Sequence, residues 1–126
     1  LQRFATQGIV SKITSQFPST TTNHITCMHT GLSVGQSGLY EWFFYEPLVD
    51  DCICPFHFSY AKDKAFNTLS TSGIAPSQFF PFRTIYQDFE QLGIRSVAFQ
   101  VKDSSQSPYS QTMYQGAELI PFKHFN

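Results

Sequence analysis

The clearest pattern of hydrophobic and polar positions along the chain lies in residues 84–103. Thr84, followed three residues later by Gln87, matches a capping box, in which two side chains satisfy backbone N–H groups at a helix start. Gly93 stands where a left-handed residue often ends a helix. The apolar positions between them, at the spacing of one helix face, are Ile85, Phe89 and Leu92. We therefore predict a short helix near residues 84–92.

After this glycine the pattern changes to alternation. Val97, Phe99 and Val101 alternate with small or polar residues, and a period of two is typical of a half-buried strand. We expect these three side chains to face the core. Phe99→Asp is then expected to abolish folding, because it would place an unpaired charge in an apolar interior.

The rest of the chain predicts further strands. Short runs rich in aromatic and β-branched residues are separated by glycine, proline and serine clusters. These runs lie in residues 4–16, 24–29, 39–46, 52–60 and 112–125. The predicted fold is mainly β: an antiparallel, jelly-roll-like β-sandwich with one short helix near residues 84–92. A single domain is expected over residues 1–126.

Composition agrees with a sheet protein that associates with copies of itself. The chain has 126 residues, including 14 Phe and 6 Tyr, and only 13% of them are charged. Aromatic residues suit pleated surfaces, whereas a helical bundle needs long runs of Ala, Leu, Glu and Lys. A net charge of −1 provides no field that attracts nucleic acid. Low surface charge favours self-association.

The sequence shows no signal for a membrane or for secretion. No apolar run reaches the roughly 18 residues of a membrane span, and no signal peptide is recognisable. Three cysteines do not make an even disulfide framework. We expect a chain without a membrane span, in a reducing compartment.

The segment GLSVG, residues 31–35, matches the G-x-S-x-G pattern of serine hydrolases. A nucleophile elbow places its serine between a strand and a helix of an α/β sheet. Here more glycine and another strand-like run follow, so a glycine-rich turn is the preferred interpretation of Ser33. We predict no catalytic residue.

Cys52, Cys54 and His57 are the candidate metal ligands, since they lie close together in the sequence. Candidates for a fourth zinc ligand are Cys27, His24 and His29. Structural zinc sites use cysteines separated by two or more residues, so the C-x-C spacing departs from the pattern. Buried free cysteines are the simpler interpretation. We predict no metal and no cofactor.

Two other clusters have structural interpretations as well. Glu46, Asp50 and Asp51 could bind a cation, but they surround Pro47 and are typical of an exposed turn. Trp42 begins an aromatic run that could stack on bases. Acidic residues flank that run, whereas phosphates require basic ones. We interpret Trp42 as a core residue.

Three segments together resemble a known family. NHITCMHTGL and GLYEWFFYEP, within residues 23–47, look like the first core strand and following segment of parvovirus-type, densovirus-like capsid proteins. Residues 79–92 resemble that family's aromatic segment and short helix, with FEQL as its aromatic-x-x-leucine pattern. Residues 94–103 resemble the next strand, which closes with Val-Lys-Asp or Val-Lys-Glu. The resemblance covers roughly residues 23–103.

This resemblance implies a structural protein, a viral capsid subunit with a jelly-roll fold. Copies would self-assemble into a shell around single-stranded DNA, in the virion and, during assembly, in the host cytoplasm or nucleus. Phe79, Phe80 and Phe82 are the interface candidates. Family members are several times longer, carry tryptophan in place of Phe89 and have a phospholipase motif that this sequence lacks. The chain would be a fragment or a reduced version without enzymatic activity.

Two other classes stay open. One is an immunoglobulin-like β-sandwich that serves as a binding or accessory module of viral origin. Residues 49–58 resemble a stretch of a coronavirus accessory protein of that kind, although that family is rich in disulfides. The other is a small zinc-binding or hydrolytic domain that uses the cysteine–histidine cluster or Ser33.

Overall fold

The computed structural model of the chain describes residues 2–124 and shows a mixed α/β fold, 37% helix and 17% strand. The helices are α1 (Gln2–Gln7), α2 (Thr21–Thr30), α3 (Val34–Ser37), α4 (Pro76–Phe79), α5 (Ile85–Gln91), α6 (Lys102–Ser105) and α7 (Pro108–Met113). The strands are β1 (Phe44–Glu46), β2 (Asp51–Cys54), β3 (Ser59–Tyr60), β4 (Ser96–Val101) and β5 (Ala117–Phe122), and a 3-10 turn spans Thr68–Ser72. The prediction of a mainly β, jelly-roll-like sandwich is wrong. The immunoglobulin-like alternative required the same sandwich.

Two small sheets take the place of the predicted sandwich. The first is antiparallel in the order β1–β2–β3, and Ile53 of β2 pairs with Phe44 on one side and Tyr60 on the other. The second is the parallel pair β4–β5, in which Phe99 lies opposite Ile120. Parallel strands need a long crossover, and here α6 and α7 provide it.

Helix α2 replaces the strand predicted for residues 24–29, because this helix buries its polar side. Its buried residues are Thr22, Asn23, Thr26 and His29. Met28, by contrast, is exposed. The Thr26 hydroxyl donates to the Thr22 carbonyl at 2.8 Å and lies 2.8 Å from the Tyr109 hydroxyl. Hydrogen bonds satisfy the Thr26 hydroxyl on this buried polar face. Because the buried side of the helix is polar, hydrophobic periodicity indicates the wrong element.

The strand predicted for residues 4–16 is also wrong. Helix α1 ends at Gln7, and the following residues 9–17, here called the arm, form neither helix nor strand. Within residues 2–124, no backbone–backbone hydrogen bond joins the arm to another segment, although the Gln16 side chain accepts the Val34 N–H at 3.0 Å. Its exposed apolar side chains are Ile9, Val10, Ile13 and Phe17. The arm therefore has strand-forming composition without a strand partner.

Other predicted strands are shorter than expected or divided. The run at 39–46 contributes only β1, and the run at 52–60 divides into β2 and β3 around a turn at Pro55. The run at 112–125 contains β5, while Phe125 lies outside the described residues.

The core is built from aromatic rings that meet edge to face. Phe80 packs edge-on against Tyr109 with a centroid distance of 5.3 Å, and Phe58 packs edge-on against Phe79 at 5.5 Å. All four residues are buried. Such pairs add specific geometry to the free energy gained by burying large apolar side chains.

The helix and strand within residues 84–103 are confirmed. Thr84 caps α5, its hydroxyl accepts the Gln87 N–H at 3.2 Å, and the Gln87 side chain accepts the Thr84 N–H at 2.9 Å. Gly93 follows in the left-handed conformation with φ +72°. Strand β4 then begins at Ser96.

The predicted orientation of β4 is wrong. Phe99 is 65% exposed, and Val97 and Val101 are exposed as well. The inward positions hold small or polar residues, and Gln100 accepts a hydrogen bond from the Tyr114 hydroxyl at 3.2 Å. Phe99→Asp would not bury a charge in this structure, so its expected effect is no longer loss of folding.

Candidate functional site

An uncovered apolar surface on the β4–β5 pair is the main candidate functional site. The register places Ile120 beside Phe99, with both side chains on the face that also holds Val97 and Val101. These residues are 42% (Val97), 65% (Phe99), 44% (Val101) and 37% (Ile120) exposed. We call these four residues the sheet face.

The sheet face is unusual for its type of strand pairing. Parallel strands normally occur in sheets that are covered on both faces, and two strands alone rarely form a stable unit. Among the described residues, β4 and β5 form a two-stranded sheet, so neither strand has a second strand beside it. Contiguous exposed apolar surface is typical of interaction sites, which makes the sheet face a candidate.

A charged pair borders the sheet face at one end. Arg95 forms an ion pair with Glu118 across the two strands, and both side chains are largely exposed. The hydrogen bond that Arg95 donates to Glu118 raises the pKa of Arg95 above its ordinary value. Exposed pairs like this contribute little to stability. An apolar centre with a polar rim is the usual composition of a protein interface.

The phenylalanines expected at the interface lie elsewhere. Phe79 and Phe80 are buried in the core, and Phe82 is partly buried against it. The aromatic run 79–82 therefore fills the interior of this chain. It leaves little of these rings for contact with another subunit.

The candidate metal ligands do not form a cluster. Cys52 is exposed while Cys54 is buried, and the His57 ring packs against Phe66 with a centroid distance of 4.3 Å. Burial raises the pKa of the Cys54 thiol, which disfavours the thiolate that zinc binding requires. Within the described part of the chain, no three His, Cys, Asp or Glu side chains come together as metal ligands.

Ser33 takes a structural role. It precedes α3 as its N-cap, and its hydroxyl donates to the Gln36 side chain at 2.8 Å. The same side-chain oxygen accepts the Ser33 N–H at 2.9 Å. This capping box holds Ser33 at a helix start.

The acidic residues around Pro47 also have local partners. Asp51 pairs with Lys62 at 2.7 Å, and Asp50 accepts a hydrogen bond from the Tyr45 hydroxyl. Glu46 accepts the Leu48 N–H at 3.0 Å. These contacts match the exposed turn that the sequence predicts.

A buried histidine lies between two tyrosines beneath α2. His29 Nδ1 and the Tyr86 hydroxyl share a hydrogen bond of 2.7 Å, and the Tyr114 ring lies 4.4 Å from the imidazole, centre to centre. Burial lowers the pKa of His29 below its ordinary value of 6.5. Because burial favours the neutral imidazole, the stability of the fold depends on pH through this cluster.

Stability is therefore expected to fall as the pH is lowered from about 7 to 5. Burial lowers the pKa of both His29 and His57, so below pH 6.5 the unfolded chain binds protons that the folded chain does not. The buried His29 adds a slope of up to about 1.4 kcal/mol per pH unit in that window, and the more exposed His57 adds less because solvent screens it. Urea unfolding between pH 7.5 and 5 measures this. His29→Gln should reduce the slope, and an unchanged slope would contradict the assignment to His29.

The sequence indicated the strand but not which of its faces is buried. The alternation of Val97, Phe99 and Val101 identifies one apolar face, and an apolar face can be covered by the same chain or by another one. The signal that could have located the site is the small and polar content of the opposite positions, Ser96, Ala98 and Gln100.

The part of the chain that the structure describes contains no helix of the length and apolarity needed to span a membrane. Comparison with known proteins gives no match to a family model, to a curated protein or to a solved structure.

Proposed function

We propose that this chain is a structural protein, a viral capsid subunit that assembles with copies of itself through the sheet face. The observation that carries the proposal is the exposure of Phe99 and its apolar neighbours on a parallel pair of strands. Such a pair needs cover on that face. Within the resemblance of residues 23–103 to densovirus-like capsid proteins, the segment 84–103 keeps the matched helix and strand and supports the same role, whereas residues 24–29 form a helix in place of the matched strand.

A second copy is the partner that the composition favours. With a net charge of −1 and 13% charged residues, two copies repel each other little at long range. The rim of the sheet face carries both signs of charge, in Arg95 and Glu118. A patch with both signs can face its own symmetry mate without placing like charges together.

The arm offers a second apolar surface for the same assembly. Ile9, Ile13 and Phe17 are exposed, and the arm backbone has no partner among the described segments. Strand-forming segments with unpaired backbone can add to an exposed sheet edge. We propose that the arm contributes to contacts between copies.

The genome partner and the location rest on the resemblance alone. As a capsid subunit, the chain would enclose single-stranded DNA and would be found in the virion, after assembly in the host cytoplasm or nucleus. The role requires no catalytic residue and no cofactor.

Phe99→Asp should leave the protein folded and weaken its association. An aromatic side chain at the centre of an interface contributes about 2 kcal/mol or more, so the dissociation constant should rise at least about thirtyfold. Light scattering coupled to size-exclusion chromatography measures the mass, and circular dichroism checks the fold. Phe4→Asp, at another exposed phenylalanine in α1, is the matched control and should still assemble.

Two results would contradict the proposal. One is a wild-type protein that stays monomeric at about 100 μM, a concentration at which even weak interfaces associate. The other is a Phe99→Asp variant that assembles as the wild type does. Ile13→Asp tests the arm separately. If this variant assembles as the wild type does, the arm does not contribute to the contact and the sheet face remains the proposed interface.

A further inference from the structure

A small recess on the molecule combines aromatic rings with a carboxylate. Its volume is about 90 Å³, and it lies between the segment after β2 and helix α6. The aromatic lining is Phe56, His57 and Phe66, and the polar lining includes Asn67, Asp103 and Ser104. None of these residues belongs to the sheet face, so the recess is a separate feature of the surface.

The rings of the recess stand at angles to one another and form walls. The His57 ring lies 4.3 Å from Phe66 and 6.0 Å from Phe56, centre to centre, and is inclined by 57° to each. Trp42 packs edge-on against His57 at 5.3 Å. A planar base or a sugar ring needs a flat platform. Inclined rings do not provide one flat platform, whereas a cation needs only to lie within about 6 Å of a ring face to be attracted to it.

The charges around the recess also favour a cation. The Asp103 side chain forms no ion pair or hydrogen bond with any residue between 2 and 124. Lys102 and Lys123 line a neighbouring depression with Asp103, yet neither pairs with it. No lysine or arginine lines the recess itself. Burial lowers the pKa of His57, which keeps the imidazole neutral at pH 7 and removes a source of repulsion.

The walls are held in place by the backbone. The Asn67 N–H donates to the His57 carbonyl at 3.0 Å, and the Leu69 N–H donates to the Phe58 carbonyl at 3.1 Å. These two bonds close the loop that carries the aromatic residues. Phe66 remains 61% exposed beside this fixed loop. A preformed site loses less conformational entropy when a ligand binds.

We propose that this recess binds a small organic cation of the methylated ammonium class. Methyl groups on nitrogen carry the positive charge over their surface and pack on aromatic faces without needing hydrogen-bond acceptors. The Asp103 carboxylate supplies the opposite charge. This binding site is independent of the proposed assembly, because the sheet face does not line it.

Titration with choline chloride at constant ionic strength tests the proposal. Trp42 is the single tryptophan of the chain and contacts His57 and Phe56, so its fluorescence reports on the recess. We expect a saturable change with a dissociation constant on the order of 1 mM. The uncharged isostere 3,3-dimethyl-1-butanol should bind at least about tenfold more weakly, because it has the same shape without the charge.

Variants assign the binding to the recess. Asp103→Asn should weaken choline binding about tenfold, and Phe66→Ala should weaken it by a similar factor. Both side chains are exposed, so circular dichroism should be unchanged. Asp63→Asn removes an exposed carboxylate outside the recess and should bind like the wild type. Equal affinity for the isostere, an unaffected Asp103→Asn variant, or the absence of saturation would each overturn the proposal.

Discussion

Gly116→Ala is expected to destabilise the protein by about 3–5 kcal/mol, the combined effect of a steric clash and an unfavourable backbone conformation. Gly116 has φ +89°, and a Cβ atom there would lie 2.5 Å from the Gln87 nitrogen and 2.7 Å from the Tyr86 carbonyl carbon. These are backbone atoms of α5, so they cannot rotate away as a side chain would. Next to Gly116, the Gln115 carbonyl accepts a hydrogen bond from Thr84, the cap of α5.

Gly93→Ala is the matched control for this substitution. Gly93 also has positive φ, +72°, but a Cβ there would meet nothing within 4 Å. It should lower the free energy of unfolding by only about 1–2 kcal/mol, the cost of left-handed backbone alone. Urea unfolding followed by Trp42 fluorescence compares the two variants. Equal losses would show that the backbone at Gly116, just before β5, does not pack this closely against α5.

Phe80→Ala should lower the free energy of unfolding by about 3–5 kcal/mol, the usual result of removing a buried aromatic ring. Phe80 is 1% exposed and packs against Tyr109, Phe58 and Phe79. A loss of this size is a large part of the roughly 5–15 kcal/mol that stabilises a domain. Thermal and urea unfolding both measure it.

Phe4→Ala provides the comparison, because Phe4 is 81% exposed in α1. A surface substitution like this usually changes stability by less than about 0.5 kcal/mol. If Phe80→Ala matched Phe4→Ala in stability but lost self-association, Phe80 would be the interface residue that the sequence predicts. The buried position of Phe80 predicts the opposite result, a large loss of stability.

Local signals in the sequence were reliable where neighbouring residues alone decide the structure. The Thr84–Gln87 capping box and the glycine stop at Gly93 predict α5 correctly, since each acts within one turn of chain. The alternation after them predicts β4. Its parallel partner β5 is about twenty residues away, and no short-range pattern specifies that pairing.

Signals that depend on the rest of the molecule were misleading. Phe99 has the hydrophobicity of a core residue, yet the position of α5 and α6 against the sheet leaves it outside. Thr26 has the polarity of a surface residue, yet hydrogen bonds of its hydroxyl let it lie inside. Tertiary contacts determine which residues of the sheet face are exposed. The sequence therefore indicates which residues form the candidate site but not that they are exposed.

The polar underside of α2 has a consequence for how the helix is held. An apolar stripe tolerates a small rotation or slide, because dispersion contacts have little directionality. Helix α2 instead is fixed by directional contacts: Thr26 with Tyr109, His29 with Tyr86, and the Asn23 amide with the Tyr40 carbonyl. A slide of one turn would break all three. Helix α2 therefore sets the relative positions of the three distant segments that contain Tyr40, Tyr86 and Tyr109.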